Sequence, residues 1–237
     1  MNGIVGSLRL GWDALLLKES AYEEMRITEN PVVKGLILIV IVGVVIALLG
    51  VVGDLLEWAS TPDLGEIRDT VYYYMTQMPW WEEAAREPKF LELFDRWYNF
   101  GWDIGQALSP TPVSALVGII LIPLRLIIYW LIYGVVAYLF ARWLGGTADL
   151  SATLGVLALA VAPQALNAFN VLPHMQLGNV VAVWGVLCAY VGLKTAHKLP
   201  WARAAWATLL PFILVLAVSI LAACFSSAVF AVAVKGG

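Results

Sequence analysis

Apolar residues in this chain come in long unbroken runs, not in the short amphipathic patterns of a soluble domain. Gly35 to Gly53 holds no charged residue, nor does Ser151 to Val191, nor Ala204 to Val234, and Ile104 to Tyr138 holds only Arg125. About 20 apolar residues, rising 1.5 Å each, cross a hydrocarbon core of roughly 30 Å. The runs therefore predict an all-α, polytopic membrane protein with five transmembrane helices, over about 33–55, 113–141, 150–169, 177–195 and 204–233. Barrel-type alternation is absent, so helices are expected to satisfy the backbone in lipid. Pro123 should kink the second span, Pro163 lies in the third, and the fifth is long enough to tilt or break near Pro211.

Two stretches fall outside this pattern. Residues 1–32 carry Leu8, Trp12, Leu15, Leu16, Tyr22 and Met25 at roughly helical spacing, which predicts one or two short amphipathic helices along the cytoplasmic membrane surface. Asn30-Pro31 ends that segment, and the first span, counted as 33–55, follows. Asp13, Glu19, Glu23 and Glu24 precede the first run, unlike the basic start of a signal peptide, so this span is expected to be retained.

Residues 56–112 read as a helical extracytoplasmic insertion, with residues 113–235 as a four-helix membrane region. Thr61-Pro62-Asp63 is a helix start, and Leu64, Ile67, Val71, Met75 and Met78 give that helix one apolar face. A second helix begins at Pro88 and carries Phe90 and Phe94 together with a stripe of Leu93, Trp97, Phe100, Ile104 and Leu108. Pro79-Trp80-Trp81 separates the two.

Composition sharpens this picture. The chain is 61% hydrophobic and 13% charged, against roughly 25% charged residues in a soluble domain. With the N-terminus cytoplasmic, the inner segments hold Arg9, Lys18, Arg26, Lys34, Arg142, Lys194, Lys198 and Arg203, and the outer ones Arg68, Arg86, Lys89, Arg96 and Lys235. Eight against five favours a multi-pass protein of the cell's inner (plasma) membrane, N-terminus in and C-terminus out. Residues 54–112 concentrate 12 of the 28 aromatics and 11 of the 17 acids. Those acids argue against attraction to anionic lipid and exclude nucleic acid as a partner.

Candidate chemistry is sparse. Gly145-Gly146-Thr147-Ala148-Asp149 interrupts the apolar runs, but it lacks the lysine of a phosphate-binding loop. It reads as a helix end at the glycines, followed by Asp149 or Ser151 capping the next helix: a tight inner turn. Arg125 either faces the bundle interior or a partner, with Gln164 and Asn167 offering oxygens, or snorkels to the outer interface. Asp54, Glu57, Asp63, Glu66 and Asp69 lack a calcium-loop frame, and His174 and His197 stand apart from other ligand types, so no metal and no cofactor is expected. Cys188 and Cys224 read as small core hydrophobes, and Ser219, Ser226 and Ser227 have no base at nucleophile spacing.

LIYGVVAYLFARWLGGTADLSATLGVLALAVAPQAL resembles the bacterial branch of the Yip family, the Ypt-interacting membrane proteins. Gly145, Gly146, Thr147 and Ala148 match that family's turn, Ala160 and Pro163 the end of its next span, and Leu172-Pro173, Trp184 and the Lys194–Arg203 loop follow in order. SAYEEMRITENPVVKGLILIVIVGVVIALLG resembles its opening, so the likeness covers about 18–53 and 113–225. Its inner loops usually hold more charge than these, and residues 54–112 stand as an insertion where the family has a short link. The resemblance implies a five-span fold and a membrane adaptor or trafficking-type role, with no known activity for bacterial members.

Together these readings predict a non-enzymatic scaffold or accessory subunit of a larger membrane assembly, in contact with lipid and other membrane proteins. Its docking surface is expected at the aromatic insertion, through Trp80, Trp81, Trp97 and Trp102, unless these and Trp58 form only an interfacial belt. A transporter or channel component is the alternative, with Arg125, Gln164, Asn167 and Asn170 as the polar groups available to it.

Overall fold

The computed structural model describes residues 3–60, 64–108, 112–171 and 177–235. The helix start at residues 61–63, residues 109–111 before the second span, Leu172-Pro173 and His174 lie outside the described residues. Two short helices open the chain, α1 (Gly3–Leu15) and α2 (Glu19–Arg26), before the long α3 (Pro31–Ser60). A group of α4 (Leu64–Thr76), α5 (Trp81–Ala84) and α6 (Pro88–Leu108) follows. Then come α7 (Pro112–Trp143), α8 (Leu150–Leu159), a 3₁₀ helix (Ala162–Val171), α9 (Gly178–His197) and α10 (Trp201–Lys235).

Among the described residues, five segments are long and apolar enough to cross a membrane: Pro31–Leu56, Leu116–Trp143, Leu150–Phe169, Gly178–His197 and Trp201–Ser226. Two of them show opposite surroundings. The segment in α10 has mean hydropathy 2.6 with 11% of its residues buried, whereas that in α8 and the 3₁₀ helix has 1.5 with 56% buried. A helix facing lipid all round must be apolar all round, while an enclosed one can carry Thr153, Gln164 and Asn167.

Glycines set the close approaches. Gly155 packs on Pro31 and Gly35 on Ala158, so α3 runs parallel to α8, and Gly43 sits against Pro123 of the antiparallel α7. The prolines behave differently from one another. α7 and α10 continue as helices through Pro123 and Pro211. The third span changes helix type at Pro163: α8 stops at Leu159 and the chain proceeds as a 3₁₀ helix. Pro163 has no N–H for the Leu159 carbonyl, and the backbone tightens to three-residue steps, with Ala160 N–H on Leu157, Val161 on Ala158 and Gln164 on Val161 at 2.9–3.1 Å.

The amino-terminal segment has two apolar faces, and only one is left for the membrane surface. Ile4, Leu8, Trp12 and Leu16 form an exposed stripe at four-residue steps. Leu10, Ala14, Ala21, Tyr22 and Met25 are buried in the bundle core with Leu38, Ile39, Val156 and Leu193. Beyond the surface helices that the sequence led us to expect, α1 packs on α3, and α2 packs on α8 and α9. The Tyr22 hydroxyl donates to the Ala14 carbonyl at 3.2 Å, Trp184 Nε1 donates to the Leu15 carbonyl at 2.8 Å, and Lys194 pairs with Glu19 at 2.8 Å.

Candidate functional site

The glycine turn is built from the chain outward. Gly145 has φ +95, the left-handed backbone that glycine adopts without a Cβ penalty. Gly146 N–H bonds the Ala141 carbonyl at 2.8 Å and Gly145 N–H bonds that of Arg142 at 3.1 Å, the paired bonds of a Schellman helix end. Asp149 then caps α8 by accepting from Ala152 N–H at 2.8 Å. Arg142 donates to the Gly146 carbonyl at 3.0 Å and Arg203 to that of Leu144 at 3.2 Å, so two cations satisfy the carbonyls left over at the turn.

His197 completes this turn, where the sequence places it in the basic inner loop. It is 1% exposed. Thr153 Oγ1 donates to the Asp149 carbonyl at 2.6 Å and meets His197 Nε2 at 2.9 Å, so the imidazole supplies the second proton from Nε2. Its Nδ1 is buried without a partner among the described residues and faces Gly146, where a Cβ would lie inside contact distance of Nδ1 and 2.7 Å from the Ala141 carbonyl. Thr147 adds a bond to the His197 carbonyl at 3.4 Å. The signal was present in the sequence: Ala189, Leu193 and His197 continue the buried face of α9 at four-residue steps. Gly146→Ala is expected to destabilise the protein by about 2 kcal/mol through overpacking, with part of the loss recovered by adding His197→Ala. An unchanged melting temperature for the single variant would remove this account.

The opposite end of the protein carries α4–α6, joined to α3 and α7. α7 alone, at 32 residues, separates the two ends by roughly 48 Å. The hairpin has its own aromatic core. Trp81 packs edge-on to Phe94 at 4.9 Å, Tyr72 to Tyr98 at 5.3 Å, and Phe94 stacks on Tyr98 at 5.4 Å. Edge-to-face and offset pairs of this kind gain beyond simple burial. The Tyr72 hydroxyl donates to Asp95 at 3.0 Å and that of Tyr98 to the Arg68 carbonyl at 2.6 Å. Burial first, then the Asp95 carboxylate, raises the Tyr72 phenol above its ordinary range and keeps it the donor.

The four predicted tryptophans are thus divided. Trp81 is buried inside the hairpin, Trp80 covers it at 5.6 Å, and Trp102 lies beside Tyr98 at 6.1 Å. Trp97 points the other way and is 65% exposed, continuous with exposed Leu93, Phe100 and Ile104. The hairpin uses Trp81 in holding itself together, which leaves Trp97 the most exposed of the four. The Trp58 side chain is outside the described residues.

Arg125 does not enter the bundle. It is exposed on α7 and has no hydrogen-bond or ion-pair partner among the described residues. Gln164 and Asn167, offered by the sequence as its partners, bond each other instead, Nδ2 of Asn167 to Oε1 of Gln164 at 2.7 Å. Trp143, Trp201 and Trp206 are exposed at the turn end, as an interfacial belt would be. Arg125 stands 18 residues from Trp143, roughly 27 Å along the helix, close to the ~30 Å of a hydrocarbon core. Cys188 is buried with its thiol toward the Ala14 carbonyl at 3.5 Å, while Cys224 is exposed. No group of three or more His, Cys, Asp and Glu side chains converges among the described residues.

The Yip1 domain model matches residues 12–223, from the last turn of α1 into the exposed part of α10. No curated protein and no solved structure matches the chain. A family match over this much of the sequence spans α2, the glycine turn, the first four apolar segments and most of the fifth, and the chain belongs to the Yip1 domain family.

Proposed function

We propose that this Yip1 domain protein is a non-enzymatic membrane scaffold or accessory subunit that holds a partner protein at its hairpin end. The second apolar stripe of α6 carries the reading. Phe90, Phe94 and Tyr98 are used up in the hairpin core, yet Leu93, Trp97, Phe100 and Ile104 remain uncovered on the same helix. Residues 64–108 hold eight acids against four bases, which repels anionic headgroups and suits a partner with a basic rim. Exposed tryptophan and phenylalanine on a self-supporting helix pair are the anchors that interfaces use. In this reading the hairpin is an insertion peculiar to a bacterial-type member, in an inner (plasma) membrane with the N-terminus cytoplasmic and the C-terminus outside. Arg125 then meets lipid phosphate or an acidic residue of the assembly.

A photoreactive phenylalanine analogue replacing Trp97, irradiated in native membranes, is expected to give a discrete protein adduct that Phe100→Lys abolishes. Adducts with lipid alone would reduce the stripe to an interfacial belt and overturn the docking proposal. A trafficking-type adaptor role is the neighbouring alternative. A transport role is less well supported, because Arg125 stands outside the bundle and does not join the Gln164–Asn167 pair.

A further inference from the structure

The change of helix type at Pro163 leaves a cleft of about 150 Å³ between α7, α9, the third span and α10. Its walls include Trp130, Tyr133 and Phe212, with Gln164 on one side and Ala182 among its lining residues. Three features suit it to a ligand. The rings of Tyr129 and Tyr133 lie stacked at 5.9 Å and 9°, and Phe212 sits 5.3 Å from Tyr133 tilted by 42°, so one flank is lined by aromatic rings. Gln164 Oε1 is held by Asn167, which leaves its N–H₂ as a donor uncommitted among the described residues. Pro163 offers no N–H to the Ala160 carbonyl, and the Gln164 N–H bonds Val161 instead, so an acceptor also borders the cleft.

The location limits what can enter. Tyr133 and Tyr129 are 10 and 14 residues from Trp143, roughly 15–21 Å along α7 and so near mid-bilayer. Beyond Phe212, residues 213–226 of α10 are exposed, and Ala182 and Tyr129 are exposed as well, so the cleft opens sideways. A charged headgroup at that depth is strongly disfavoured, whereas a neutral molecule already dissolved in lipid has direct access.

We propose that the cleft binds a neutral, lipid-soluble molecule with a flat ring and a carbonyl or hydroxyl oxygen. The ring lies along Tyr133 and Phe212, and its oxygen accepts from the Gln164 amide. This site stands apart from the α6 stripe and from the docking proposal.

The test uses the full-length protein in detergent at fixed micelle concentration, titrated with a decyl-substituted benzoquinone and, separately, with decylbenzene, which has no acceptor oxygen. The quinone is expected to raise the melting temperature saturably, since a ligand binding only the folded state stabilises it. Gln164→Leu should weaken its apparent affinity about tenfold, the effect of one buried hydrogen bond. Ala182→Trp, at an exposed lining position, should abolish the shift and keeps the test valid if Gln164→Leu does not fold. Equal stabilisation by decylbenzene, or a full quinone response in Ala182→Trp, would overturn the proposal.

Discussion

Gly43→Ala is expected to lower the unfolding free energy by about 2–3 kcal/mol, an overpacking cost, while Gly50→Ala in the same helix leaves it unchanged or slightly raised. A Cβ on Gly43 would lie 2.8 Å from the Pro123 Cα and 3.0 Å from its Cβ. The first of these is backbone, so no rotamer change relieves the clash; α3 and α7 must separate. At Gly50 nothing lies within 4 Å, and alanine gains the ordinary helix preference over glycine, roughly 0.5–1 kcal/mol. Gly155, which packs on Pro31, should respond like Gly43. Denaturant-driven unfolding in mixed micelles, followed by far-UV circular dichroism, gives the comparison. Equal effects at positions 43 and 50 would mean that the α3–α7 crossing is not set by this contact.

Tyr22→Ala should cost about 3–5 kcal/mol, the range for removing a buried aromatic side chain. Tyr22 is 0% exposed, although it belongs to a polar segment ahead of the first span. Its ring packs against Gly192 of α9, and its hydroxyl donates to the Ala14 carbonyl. Tyr22→Phe keeps the packing and loses the hydroxyl bond, so it should cost only about 1 kcal/mol. A segment resting on headgroups would give a different result, with stability untouched by either change and only membrane affinity reduced. Thermal unfolding of the two variants separates the cases. If Tyr22→Ala melts with the unaltered protein, the amino-terminal helices are not part of the core.

Both variants touch contacts that differ in how far the sequence disclosed them. The five spans were legible because lipid, as a solvent, demands runs of apolar residues regardless of neighbours. The glycine turn was legible too, since Gly145, Gly146 and Asp149 act through their own backbone and a residue three positions on. For Arg125 the sequence left two readings open, the bundle interior or the outer interface, because a one-dimensional pattern does not say which way a helical side chain faces; the structure leaves it exposed on α7. The second stripe of α6 was visible as periodicity, but periodicity does not say which of two stripes a neighbouring helix will cover.

Sequence by itself therefore determined what each segment is: a lipid-spanning helix, a capped turn, an aromatic acidic hairpin. Those properties follow from local hydrogen bonding and from solvent, both readable along a single stretch of chain. Only the tertiary structure decided who meets whom. It buried Tyr22 against α9, seated His197 on Gly146, turned Arg125 outward and opened a cleft beside Pro163. Each of these joins residues separated by tens of positions in the chain, and their pairing depends on shape complementarity between helix faces, which no local pattern encodes.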